Sequence, residues 1–245
     1  MSITVGPSHH FFYGALCRRR LWFIHLAEAF APFASAAWVE SYRGLDANYK
    51  RSFSRLVLDE GLGIGKPLPL YQVIDDTPIE SFLINIADDL DSYQQNLLAL
   101  MSRLAAPSGR QGWLEELERV SMLWGRNLAQ ECLMTPMHGP LVRSQNSVRG
   151  IFEAIHNILQ GGDFLWKPFL VRRYTDKELQ YELRHCPHRR PAADDTRHGT
   201  ETNDLACRLE ALVIRGFAEA LISNVSFGRQ PRESYCLDEL RLLQL

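Results

Sequence analysis

The chain has 245 residues, 46% of them hydrophobic and 23% charged, with a formal net charge of −2. That balance suits an ordinary globular protein with a sizeable core, either one large domain or one domain with an added segment. The near-neutral charge argues against a nucleic-acid partner, which needs a concentrated basic surface. No stretch approaches the roughly 18 consecutive apolar residues of a membrane-spanning helix. MSITVGPSHHFFYG lacks the features of a signal peptide, and five scattered cysteines do not form a secreted disulfide framework. The expectation is a cytoplasmic protein with reduced thiols.

In chain order, LWFIHLAEAFAPFASAAWVESY (residues 21–42) carries apolar residues at three- and four-residue spacings, as a buried helix would, and Pro32 marks a break. NYKRSFSRLVLDEGL, from Asn48, predicts a second, amphipathic helix ended by Gly61. GLGIGKPLPL (61–70) reads as a linker; its glycines lack the spacing and preceding strand of a phosphate-binding loop. A third helix starts from a cap at Asp76 or Thr77, with Pro78 in its first turn. GWLEELERVSMLWGRNLAQECL predicts a fourth, with Leu114, Leu117, Val120, Leu123, Trp124 and Leu128 on one face. SVRGIFEAIHNILQ predicts a fifth, capped by Ser144 or Ser147.

The period then changes from helical to alternating. DFLWKPFLVRRYTDKELQYELRHCP reads as a hairpin turning near Thr175-Asp176-Lys177, with Leu179, Tyr181 and Leu183 on its apolar face. Residues 189–204 are polar without apolar periodicity and are expected to be a surface loop. LACRLEALVIRGFAEALIS predicts a last helix, Phe227-Gly228-Arg229-Gln230 a turn, and the terminus a short strand. The expected class is α+β, a helical N-terminal part followed by a helix-flanked small antiparallel sheet.

Side chains that could carry chemistry are few. Arg18-Arg19-Arg20 reads as a solvated face or as salt-bridge partners, His25 as a buried hydrogen-bonded histidine, and Asp88-Asp89-Leu90-Asp91 as a solvated helix face. No G-x-S-x-G elbow is present. His185-Cys186-Pro187-His188 places Cys186 and His188 near one turn, and thiolate and imidazole are ligands that zinc prefers, but no second metal-spaced pair follows.

Cys186-Pro187, Cys207 with Gly216 nine residues on, Phe227-Gly228-Arg229 and Glu233-Ser234-Tyr235-Cys236 stand in an order that resembles the 4-vinyl-reductase-type domain. Looser agreement extends through Trp124-Gly125-Arg126-Asn127-Leu128-Ala129. That domain occurs in aromatic-sensing transcriptional activators and in a protein linked to bacteriochlorophyll synthesis. It is similar in fold to the Bet3-like subunits of vesicle-tethering complexes. The resemblance covers about residues 80–245 and leaves 1–70 as an aromatic-rich helical extension. It implies a zinc site at Cys207, Glu233 and Cys236. The fourth family position holds Gln244 instead of cysteine, and Cys186 or His188 is the substitute at hand. It also implies a homodimer or another protein partner, and a pocket for an apolar or aromatic small molecule. On this reading the chain is a non-enzymatic sensor or adaptor domain. The rivals are a scaffold subunit without ligand and an accessory factor or enzyme for a tetrapyrrole-like cofactor. Burial of Cys207 and Cys236 as small hydrophobes stays open beside the metal reading.

Overall fold

The computed structural model describes residues 7–59, 79–106, 112–134, 147–159, 169–184, 196–232 and 235–243. Helix α1 (Pro7–Phe30) stops just before Pro32, whose ring and missing N–H oppose a continuing helix. The chain takes a single 3-10 turn at Ala31–Phe33 and re-forms as α2 (Trp38–Asp59), well ahead of the expected start at Asn48. The connection is tied to the end of α3 (Ile79–Leu104). Ser35 N–H donates to the Leu104 carbonyl at 2.8 Å, and Ala106 N–H donates to the Phe33 carbonyl at 2.9 Å. These bonds satisfy backbone groups that the break would otherwise leave unpaired.

Helix α4 (Gly112–Met134) buries Trp113, Leu117, Ser121, Gly125 and Leu128, spaced three and four apart. The expected face is corrected at Leu123, which is 45% exposed. Helix α5 (Val148–Leu159) has the expected cap, with Gly150 N–H donating to Ser147 Oγ at 3.2 Å. The hairpin of β1 (Phe169–Tyr174) and β2 (Glu178–Arg184) turns at the expected residues, closed by Thr175 N–H donating to the Glu178 carbonyl at 2.8 Å.

Two expectations in the last quarter are corrected. Helix α6 (Thr196–Leu221) begins inside the stretch read as a loop, and Thr202 is already buried in it. Polar composition does not oppose a helix there, since propensity is a weak constraint. Phe227-Gly228-Arg229-Gln230 is not a turn but lies within β3 (Val225–Pro231), which pairs with β4 (Tyr235–Leu242). Gly228 lies on the open side of the sheet, where a Cβ would meet nothing within 4 Å. The chain reverses one step earlier, with Val225 N–H donating to the Ile222 carbonyl at 3.3 Å. The four strands form one antiparallel sheet in the order β1-β2-β4-β3, so the fold is α+β with a helical N-terminal part.

Helix α6 organises the core because it buries two faces. Leu205, Leu209 and Val213 join Phe23, Leu26, Phe30, Leu97 and Met101 of α1 and α3 in an all-helical cluster. Cys207, Ile214, Phe217 and Ala218 join the inner face of the sheet and Ile151 and Ile155 of α5. Helix α1 therefore shares a core with α3, α4 and α6. Trp22, Phe23, Phe30 and Trp38 spend their aromatic surface there, with Phe30 edge-on to Trp38 and Trp113 at ring separations of 4.6 and 5.4 Å.

Helices α4 and α6 cross with their backbones in contact at two glycines. A Cβ on Gly125 would lie 2.0 Å from the Val213 carbonyl oxygen, and one on Gly216 would lie 2.2 Å from that of Met122. Glycine at both positions is what lets α6 sit close enough to α4 to reach the sheet on its other side.

Candidate functional site

The inner face of the sheet is laid out by the strict alternation of side chains along each strand. Register places Leu183, Cys236 and Pro231 in one row, Tyr181, Asp238 and Arg229 in the next, and Leu179, Leu240 and Phe227 in the third. The middle row is polar and lies between two apolar ones. Helix α6 covers it, bringing Cys207 above the first row and Glu210, one turn on, above the second.

Arg229, its side chain 2% exposed, donates from Nε and Nη2 to the two Asp238 carboxylate oxygens at 2.7 and 2.8 Å, and from Nη1 to Glu210 Oε2 at 2.9 Å. This is the two-pronged geometry in which a buried guanidinium recovers what it loses on leaving water. Desolvation pulls the Arg229 pKa down, but the Asp238 and Glu210 charges outweigh it and hold the guanidinium well above its ordinary range. Desolvation raises the Asp238 carboxyl, and the adjacent Arg229 only partly offsets this. Tyr181, fully buried beside Asp238, is pushed well above the usual phenol range, first by burial and then by the Asp238 charge.

Beside this network the Cys207 and Cys236 sulfurs lie 3.5 Å apart, the residues 3% and 0% exposed. Neither is in a disulfide. Two zinc–sulfur bonds of about 2.3 Å at a tetrahedral angle set their sulfurs about 3.8 Å apart, so the pair has nearly the separation of one edge of a zinc site. Among the described residues, no three His, Cys, Asp or Glu side chains converge to hold a metal ion. Glu233, Cys186, His188 and Gln244 lie outside the described residues. The described part of the implied site is therefore its two thiol corners.

Cys207 and Arg229 also line a cleft of about 960 Å³. Its described walls include Trp113 and Leu114 of α4, Leu205 and Ala211 of α6, and Pro231 at the end of β3. Ser102, Asp204 and Arg208 supply further polar edges. A second cavity of about 40 Å³, walled by Trp22, Trp124, Leu128 and Ile214, reaches Glu210 from the opposite side. It has room for about a water molecule.

The chain matches no protein-family model, no curated protein and no solved structure. The motif residues and their geometry are what bear on function.

Arg18, Arg19 and Arg20 are salt-bridge and hydrogen-bond partners rather than a solvated face. Arg18 Nη2 donates to the Ile158 carbonyl at 2.7 Å, Arg19 pairs with Asp91, and Arg20 pairs with Asp46 while lying over the Tyr93 ring at 4.3 Å. Asp91 is therefore buried, not part of a solvated face. His25 is exposed, bonded to Glu28 at 3.1 Å and set against Trp124, which corrects its reading as a buried histidine. The Tyr181–Asp238–Arg229–Glu210 network was not anticipated. Its signal was the period of two: read as a strand, Phe227-Gly228-Arg229 puts Arg229 on the same inward face as Phe227.

Proposed function

We propose that this chain is a non-enzymatic binding domain that seats an apolar small molecule in the cleft between α4, α6 and the end of β3. The observation that carries the reading is the cleft itself. Its volume lies in the range of small-molecule sites, its described walls are mainly apolar, and the buried Arg229 side chain lines it beside the exposed Ser102, Asp204 and Arg208. The buried Arg229 network gives that wall a rigid charge pattern, which is how such sites orient a ligand. The 4-vinyl-reductase-type resemblance adds to this reading, because its sensor members hold aromatic ligands beside the corresponding cysteines.

The test is binding of an apolar aromatic probe, 1-naphthol, followed by tryptophan fluorescence, since Trp113 lines the cleft. Saturable quenching in the wild type that disappears in Ala211→Trp, with the circular dichroism spectrum unchanged, is the expected result. Quenching that persists in Ala211→Trp would place the probe elsewhere and sink the proposal. A stable oligomer in native mass spectrometry with no probe binding would favour a scaffold subunit instead.

A zinc ion on the thiol pair is a second reading, favoured by the 3.5 Å sulfur separation. One zinc per chain that is lost in Cys207→Ser supports it, and a metal-free wild type refutes it.

A further inference from the structure

Two buried thiols 3.5 Å apart form an arrangement that a binding cleft does not need. Cys207 lines the cleft, whereas Cys236 sits behind it at 0% exposure, so the two are not equivalent toward a reagent arriving from solvent. A sulfur–sulfur bond is about 2.05 Å long, so bridging requires the two atoms to close by about 1.5 Å. Cys207 sits on α6 and Cys236 on β4, neighbours in one packed cluster, so both sulfurs start in contact.

We propose that Cys207 and Cys236 form a peroxide-sensitive dithiol, with Cys207 as the attacking and Cys236 as the resolving cysteine. Cys207 Sγ attacks the distal oxygen of a hydroperoxide, R–O–O–H. The O–O bond breaks, the thiol proton goes to the departing alkoxide, and the products are Cys207 sulfenic acid and the alcohol R–OH. Cys236 Sγ then attacks the Cys207 sulfur, the S–O bond breaks, and the hydroxide leaves with the Cys236 proton as water. Two thiols lose two electrons and two protons in total, and the hydroperoxide is reduced to alcohol and water. An external dithiol reverses the change by exchange. The inference goes beyond ligand binding and does not depend on it. An oxidised pair would join α6 covalently to β4 beside the cleft.

The experiment uses the purified full-length chain as isolated, exposed to a small excess of hydrogen peroxide, quenched, alkylated under denaturing conditions and mapped by mass spectrometry without reduction. The expected product is a Cys207–Cys236 cross-linked peptide. The thiol titre should fall from five to three per chain and recover with dithiothreitol. Cys207→Ser should abolish the cross-link. Cys236→Ser should instead leave sulfenic acid on Cys207, trappable with dimedone. If either variant fails to fold, the wild-type peptide map decides by itself. Oxidation confined to the exposed Cys17, or a co-purifying metal that keeps the pair reduced, would overturn the proposal.

Discussion

Gly216→Ala adds one methyl group at the close crossing of α4 and α6. Its Cβ would stand 2.2 Å from the Met122 carbonyl oxygen, about 1 Å closer than the ~3.3 Å that even a close C···O contact takes up. The obstacle is backbone, not the flexible end of a side chain, so α4 and α6 must separate. Overpacking that shifts backbone costs ~1–3 kcal/mol, and an overlap of about 1 Å puts this site at the top of that range. Alanine returns ~1 kcal/mol through its better helix propensity, so the net loss is ~2 kcal/mol. At this chain length that lowers the melting temperature by about 4–8 °C. The control is Gly44→Ala on α2, where a Cβ meets nothing within 4 Å and only the propensity gain remains. Thermal and urea unfolding followed by helical circular dichroism should move the two variants in opposite directions. If Gly216→Ala proves as stable as Gly44→Ala, the backbone contact does not exist in solution and the packing argument fails.

Two further outcomes follow from buried polar groups. Arg229→Met leaves the fully buried Asp238 carboxylate without its cation and should cost ~3–5 kcal/mol in urea unfolding, whereas pairing it with Asp238→Leu should recover much of that loss. An additive double variant would show that the two groups do not act as a pair. Burial, opposed by the Arg20 charge, pushes Tyr49 up to about 12, and burial also raises Tyr93 and Tyr181. A phenol whose folded pKa exceeds its unfolded value near 10 contributes stability that is intact below pH 10 and lost as pH rises toward the folded value. The melting temperature should therefore fall steeply from about pH 10 upward, less steeply in Tyr49→Phe. Phenolate absorbance should show some of the eight tyrosines ionising only on unfolding. Titration of all eight near pH 10 with the fold intact would contradict this.

Local signals were legible wherever one residue type decides the backbone. Pro32 ends α1, Ser147 caps α5, and Thr175-Asp176-Lys177 turns the hairpin, because each acts through its own dihedral angles or a bond three residues away. The alternation of Leu179, Tyr181 and Leu183 assigned the inner face of β2 for the same reason. Gly228 misled because an open-face glycine in a strand and a turn glycine look alike in sequence.

By itself the sequence determined the α+β class, the helix break and the hairpin, all of which depend on short-range pattern, whereas Cys207 and Cys236 were singled out only through a family resemblance. Only the tertiary structure decided that Asp91 is buried, that Gly125 and Gly216 meet, and that Arg229 joins Asp238 and Glu210 beneath α6. Each of those rests on a partner in another element, from 9 residues away for Arg229 and Asp238 to more than 70 for Arg19 and Asp91. The free energy of a buried charge or of a missing Cβ is set by what the folded chain brings against it, and no neighbour in sequence reports that.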